Sequence, residues 1–138
     1  AALAAAAAKK VYKTFLDSAI LCMLGVTGAQ PSQIAGLFNA VTGRDITVKD
    51  IDSYGHMMHN FFRAFAVRHG RTKEMDAPSK RYASSSLKGP GSEFELYKVW
   101  DEARSKYYEY MGWDENGIPK PEILRKVGLD FVIKDIWA

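Results

Sequence analysis

Cysteine is nearly missing from this chain: Cys22 is the sole thiol in 138 residues. One thiol makes neither an internal disulfide nor, by itself, a complete metal or cluster site. The count argues against a disulfide-stapled secreted scaffold and is compatible with a reducing cytoplasm. Long apolar runs are lacking as well. None approaches the ~20 residues needed to cross a bilayer, so no membrane association is expected. Charge of one sign is scarce too, with a formal net charge of only +3. Lys and Arg are interleaved with Asp and Glu, so no strong field for nucleic acid is built and no such partner is expected. Finally, no stretch alternates apolar and polar residues as a half-buried strand would.

What is present reads as helices. The length suits one globular domain able to bury a core without staples. Ala1 to Ala8 is almost pure alanine. Alanine is the best intrinsic helix former, but the run shows no core-facing stripe, is not a signal peptide and is uninformative about function. Residues 9–138 are expected to form a single helical domain. From Lys9 to about Met23, Val11, Tyr12, Phe15, Ala19 and Cys22 recur at helical steps, and this helix is expected to end near Gly25. Pro31-Ser32-Gln33 opens a second helix that runs through Val41 and is closed by Gly43. Thr47 and Asp50 resemble a capping box that starts a long helix, ending at about Arg68 before Gly70. Its apolar pattern is Ile51, Tyr54, Met58, Phe61, Phe62, Phe65 and Ala66.

Arg71 to Pro90 is polar, holds Pro78, Gly89 and a Ser84-Ser85-Ser86 run, and reads as an extended connection over a surface. Ser92 and Glu95 form a second capping box, leading a helix through Trp100, Tyr107, Tyr108 and Met111 to Gly112. After Asp114-Glu115-Asn116-Gly117, a last helix spans Pro119 to Val127 and is closed by Gly128. The fold class is all-α, an irregular multi-helix domain.

Most candidate sites have an ordinary structural reading. His56 and His59 stand three apart on the long helix, a spacing able to place two imidazoles on one metal, but no further ligand is near in sequence. They read as surface or interface histidines. Tyr107, Tyr108, Tyr110 and Trp113 read as core and interface packing, as do Phe61, Phe62 and Phe65. Arg68, Arg71 and Lys73 surround a helix C-terminus, where a solvated basic end complements the dipole. Ser84 to Ser86 has no companion His and Asp to nominate it as a nucleophile. Cys22 taken alone reads as a small buried residue.

Four ordered segments change that last reading: Asp17 to Cys22; Leu37 to Asp45; Phe62 to Arg68 with Pro78 to Tyr82; and Tyr107 to Pro119, closing with Val127-Gly128-Leu129. The Ala40-Val41-Thr42-Gly43 and Gly112-Trp113-Asp114-Glu115-Asn116-Gly117-Ile118-Pro119 stretches carry most weight. Together they resemble the C-terminal domain of the tungsten-containing aldehyde:ferredoxin oxidoreductase family. The resemblance implies a C-terminal helical domain of that type, a fragment of a longer catalytic subunit that oxidises aldehydes to carboxylic acids. It further implies tungsten held by two pyranopterins of the molybdopterin type, and a [4Fe-4S] cluster passing electrons to ferredoxin. The family segment Asp-x-x-Gly-Leu-Cys falls on Asp17, Leu21 and Cys22, which implies pterin contacts from this segment and one cluster thiolate from Cys22. A cubane cluster takes four thiolates in the usual case, so the lone cysteine is then expected, the other three lying in preceding domains.

No catalytic acid or base is implied within this segment, and the chain alone is expected to be inactive. The implied partners are the preceding domains of the same subunit, ferredoxin and an aldehyde, in the cytoplasm; a homodimer is compatible with this. One departure stands out, because the family glycine is Ile20 here. A β-branched residue does not readily take the positive φ that glycine allows. On an unbroken helix Asp17 and Cys22 would also point ~140° apart. The turn is therefore expected from another residue, such as Gly25, or from a different local geometry. Two rivals follow: a tungsten relative that reduces aromatic acyl-CoA thioesters, and a stand-alone helical interaction module without cofactor, which would account for Ile20.

Overall fold

The computed structural model describes residues 2–83 and 95–137. Its elements are α1 (Ala2–Ser18), α2 (Pro31–Thr42), α3 (Val48–Arg68), a 3₁₀ turn (Lys73–Asp76) and α4 (Lys80–Ala83). Then come α5 (Leu96–Met111), α6 (Pro121–Lys126), a second 3₁₀ turn (Asp130–Val132) and α7 (Ile133–Ile136). The described residues hold one isolated β-bridge, Trp113 with Pro119, and no strand. The all-α class is as read from the sequence. No described helix is long and apolar enough to cross a membrane.

Local signals set most helix ends. Pro31 occupies the first turn of α2, where its missing N–H is not needed, and Gly43 closes the helix in the left-handed region. Thr47 and Asp50 form the reciprocal capping box of α3. At α5 the N-cap is Glu95 itself; Ser92, expected to pair with it, lies outside the described residues, as does the serine run. The described part of the expected extended connection instead folds into the first 3₁₀ turn and α4. The expected last helix is shorter than read, Pro121–Lys126, and the chain then adds the second 3₁₀ turn and α7.

Three apolar clusters hold the helices together. Phe15, Leu16, Ile34, Ala35, Ile46 and Ile51 join α1, α2 and α3. Val11 meets Tyr108, Met111 and Trp113 between α1 and α5. Ala64, Leu124, Leu129 and Val132 pack α3 against the C-terminal turns. The alanine run does contribute: Ala7 is fully buried and stands four residues before Val11 and eight before Phe15, in one helical stripe. α1 also approaches α3 closely, since a Cβ at Gly55 would lie 2.4 Å from the Val11 carbonyl oxygen.

The buried face of α3 differs from the one its apolar pattern predicts. It consists of Ile51, Gly55, Asn60, Arg63 and Ala64. Phe62 and Phe65 are exposed, so they are not core residues, while Phe61 is partly buried against the third cluster. Two polar side chains have displaced aromatics from the core, and their partners explain why.

Candidate functional site

The segment holding Asp17, Leu21 and Cys22 is a helix C-terminus of defined type. α1 stops at Ser18, not near Gly25. The Ile20 N–H donates to the Asp17 carbonyl (3.1 Å), and the Leu21 N–H reaches five residues back to the Leu16 carbonyl (2.8 Å). This is the Schellman pairing, which requires the residue between cap and exit to be left-handed. That residue is Ile20, with φ 59°, the sole non-glycine at positive φ among the described residues. The turn therefore falls at the position of the family glycine. Gly25 does not supply it.

A left-handed L-residue costs about 1–2 kcal/mol, and Ile20 recovers nothing by burial, being 92% exposed. Leu21 packs against the first cluster beside Leu16, the apolar contact that accompanies such caps. Asp17 is exposed and paired with Lys13 one turn earlier. Cys22 is a free, exposed thiol, not the buried core residue that the bare composition argument favours. Its carbonyl accepts from the Val26 N–H (3.1 Å), starting the turns that lead to α2. Leu24, nearby in sequence, is also exposed. No group of three or more His, Cys, Asp and Glu able to hold a metal occurs among the described residues. The segment itself offers one thiol and one carboxylate, Cys22 and Asp17.

A second constellation lies between α1, α3, α5 and the first 3₁₀ turn. Arg63 is buried at its centre. Its Nε donates to the Gly117 carbonyl (2.7 Å) and its Nη1 to Asp76 Oδ1 (2.9 Å). Nη2 stands 2.8 Å from Asp76 Oδ2, an ion-pair contact, although its N–H bonds are not aligned on an acceptor. The guanidinium carbon lies 4.7 Å from the ring centre of Trp113, a cation–π arrangement. Asp76 also accepts from the Tyr108 hydroxyl and from Arg71 Nε (2.8 Å) and Nη2 (2.6 Å). Desolvation pushes the Asp76 carboxyl up, but the hydrogen bonds from Arg63, Tyr108 and Arg71 outweigh it and hold it at about 2. Tyr108 is driven the other way, to about 12, by burial and by its bond to Asp76. Arg71, read from the sequence as part of a solvated basic end, is thus bound to a carboxylate; Arg68 pairs with Asp135 at 3.3 Å.

This arrangement accounts for the Gly-Trp-Asp-x-x-Gly-Ile-Pro stretch. Asp114 Oδ1 accepts from the N–H groups of Asn116 (2.9 Å) and Ile118 (2.8 Å), closing the turn. Gly117 sits at φ 76°, and a Cβ there would lie 2.1 Å from Arg63 Nη2. Glycine is required on both counts. Trp113 donates from its indole to the fully buried Asn60 (2.8 Å), whose amide in turn donates to the His56 carbonyl (2.9 Å). Arg63 and Asp76 were not singled out in the sequence; the one available signal was a charged residue three positions after Asn60 inside an aromatic stripe.

His59 and Tyr107 flank Trp113 beside this constellation. His59 Nε2 and the Tyr107 hydroxyl are 2.8 Å apart, and the imidazole stacks on Trp113 at 5.7 Å. Burial, aided by the charge of Lys10, lowers His59 to about 4, so it is neutral at pH 7; burial raises Tyr107 to about 12. His56 does not join His59 in a ligand set but lies 3.9 Å from Asp52.

The family model described as aldehyde ferredoxin oxidoreductase, domains 2 & 3, matches residues 2–129. The chain belongs to the aldehyde ferredoxin oxidoreductase family. Within that family it is 31% identical over 117 residues to a tungsten-containing aldehyde ferredoxin oxidoreductase of Pyrococcus furiosus, covering 83% of this chain. It is 29% identical over 130 residues, 87% of this chain, to the WOR-like subunit of an aliphatic sulfonate oxidoreductase of the same organism. A tungsten-containing aldehyde ferredoxin oxidoreductase of Pyrococcus abyssi is 26% identical over 117 residues, again 83% of this chain. The chain spans about a fifth of the length of these relatives, 20% for the first and 19% for the other two. The helical architecture agrees with this membership.

Proposed function

We propose that these residues form the C-terminal helical part of a longer tungstopterin iron–sulfur oxidoreductase subunit, and that they are inactive in isolation. The proposed reaction converts an aldehyde and water to a carboxylic acid, two protons and two electrons, the electrons passing to ferredoxin. The observation that carries the reading is the left-handed turn at Ile20. It occupies the glycine position of Asp-x-x-Gly-Leu-Cys, anchors Leu21 in the core and leaves Cys22 exposed immediately beyond it. An isoleucine held there at 92% exposure has no stabilising role within these residues.

In this reading Cys22 supplies one thiolate of a [4Fe-4S] cluster, and preceding domains supply the other three. The Asp17 carboxylate accepts hydrogen bonds from N–H groups of the pterin, a charge-assisted contact that orients it. Leu21, fixed by packing, sets the position from which Cys22 projects. The bound metal and pterin supply the two-electron acceptor, as cofactors do for difficult redox steps. Lys13, paired with Asp17 in the structure, would give up that partner to solvent if the carboxylate turned to the pterin.

The relatives whose names specify tungsten and aldehyde ferredoxin oxidoreductase support the substrate class. The test is elemental mass spectrometry on the anaerobically purified full-length subunit. About four irons and about one tungsten per chain are expected; metal-free protein competent in no redox assay would overturn the proposal.

A further inference from the structure

Residues 18–43 hold no Asp, Glu, Lys, Arg or His, in a chain of which 25% is Asp, Glu, Lys and Arg. The stretch is nonetheless surface, since only Ile34 and Ala35 within it are buried. It runs from the exit of α1 to the C-cap of α2, and its Leu21, Val26, Ala29 and Phe38 pack on the first cluster. What remains outside is apolar: Leu24 is 85% exposed, Leu37 51% and Val41 78%. Its polar side chains do not offset this, because Thr27, Thr42 and Asn39 spend hydrogen bonds on the Met23, Phe38 and Ile46 carbonyls. Gly36 lies inside α2, where glycine is destabilising relative to alanine. A Cβ there would meet nothing within 4 Å, so no contact among the described residues calls for glycine. Gly36, Leu37, Ala40 and Val41 are all exposed and share one helical face. Charge returns only at the margins, with Lys13 and Asp17 before the stretch and Arg44 and Asp45 after it. The exposed aromatics Phe65 and Phe131, in contrast, share their surface with Arg68 and Asp135.

Surface open to water keeps its charges, whereas the core of a lasting interface sheds them and resembles a domain core cut in half. We propose that the charge-free face of α2, formed by Gly36, Leu37, Ala40 and Val41, is buried against an apolar surface of the preceding domains of the same subunit. Gly36 lets the partner backbone approach closely there. Two observations name this occupant. The chain spans only 19–20% of the relatives' length, so most of a subunit of that size is left to cover the face. Cys22, whose proposed cluster partners lie in those same domains, is exposed within the same uncharged stretch. A soluble electron carrier, by comparison, gains its on-rate and orientation from complementary charge, and this face offers none. The inference rests on the reading of these residues as part of a longer subunit and adds which surface faces the rest of it.

The test is hydroxyl-radical footprinting with mass spectrometry on the purified full-length subunit, with a synthetic peptide of residues 30–45 as the unprotected reference. Leu37 and Val41 should be oxidised at least about fivefold more slowly in the subunit than in the peptide, as burial in an interface core implies. Rates within about threefold of the peptide would show a face open to solvent and overturn the proposal. Gly36→Gln, which α2 itself has room for, should raise oxidation of Leu37 and Val41 at least about threefold while the buried Leu16 stays protected. Unchanged rates in that variant overturn it as well. Protection that fades on dilution would assign the face to a second copy, and protection that appears only on adding ferredoxin would assign it to the electron carrier; either overturns the proposal. Iron and tungsten measured on the same sample separate the two readings. A protected face in metal-free subunit would sink the tungsten reading alone, and an open face in metal-loaded subunit would sink this inference alone.

Discussion

Replacing Ile20 with glycine should stabilise this protein, although it removes four carbon atoms of an apolar side chain. The side chain is 92% exposed, so the substitution forfeits almost no burial. Its backbone is held at φ 59° by the paired hydrogen bonds of Ile20 to Asp17 and Leu21 to Leu16. Left-handed geometry costs an L-residue about 1–2 kcal/mol, and β-branching adds to it. Glycine removes that strain but loses about 0.5–1 kcal/mol through the greater freedom of its unfolded state. The net expectation is a gain of about 1 kcal/mol. With an unfolding entropy of about 2.1 cal/mol/K per residue, that gain raises Tm by about 3–4 °C for a chain of this length. Ile20→Ala keeps the Cβ and loses the branch, so it should fall between wild type and Ile20→Gly. Thermal and urea unfolding followed by circular dichroism would read both. If Ile20→Gly melts at or below the wild-type temperature, the strained-cap reasoning is wrong.

Three further outcomes follow from the buried polar constellation. Arg63→Met should destabilise by about 3–5 kcal/mol, because it leaves the Asp76 carboxylate short of its main partner; a shift under 1 kcal/mol in urea unfolding would contradict this. Gly117→Ala should cost at least about 3 kcal/mol, combining a strained φ of 76° with a Cβ 2.1 Å from Arg63 Nη2, again measured by urea unfolding. Acid should act in two windows. His59 is lowered from 6.5 to about 4 in the fold, so the stability it contributes is complete above pH 6.5 and lost as pH falls to about 4. Asp76 is lowered from 3.8 to about 2, so its contribution, at most about 2 kcal/mol, is complete above pH 3.8 and lost toward pH 2. Urea midpoints across pH 7 to 2 should fall first between 6.5 and 4 and again below 3.8, and His59→Gln should flatten that first decline while sparing the second.

Local chemistry was legible and long-range chemistry was not. Pro31, Gly43 and the Thr47 and Asp50 pair act on residues within one turn, so the ends of α2 and the start of α3 could be read directly. The end of α1 could not, because isoleucine at a left-handed cap contradicts the preference by which such ends are recognised, and Gly25 offered a better-looking stop. The buried face of α3 was misread for another reason. Helical spacing groups Phe61, Phe62 and Phe65 with the apolar stripe, yet Arg63 is drawn inward by Asp76, thirteen positions away, and by the Gly117 carbonyl, fifty-four away. That inward turn leaves Phe62 and Phe65 facing out. The role proposed for Cys22 rests on the four ordered segments from Asp17 to Leu129 and not on the thiol itself, since one thiol alone says nothing of ligation.

The most direct test of the account is the iron content and the electron paramagnetic resonance spectrum of the dithionite-reduced full-length subunit, wild type against Cys22→Ala. The account predicts about four irons and a reduced-cluster signal in the wild type. In Cys22→Ala, iron should fall to about three or fewer and that signal should disappear, with the helical circular dichroism retained because Cys22 is exposed. A variant that keeps wild-type iron and an unchanged signal would contradict Cys22 as a cluster ligand.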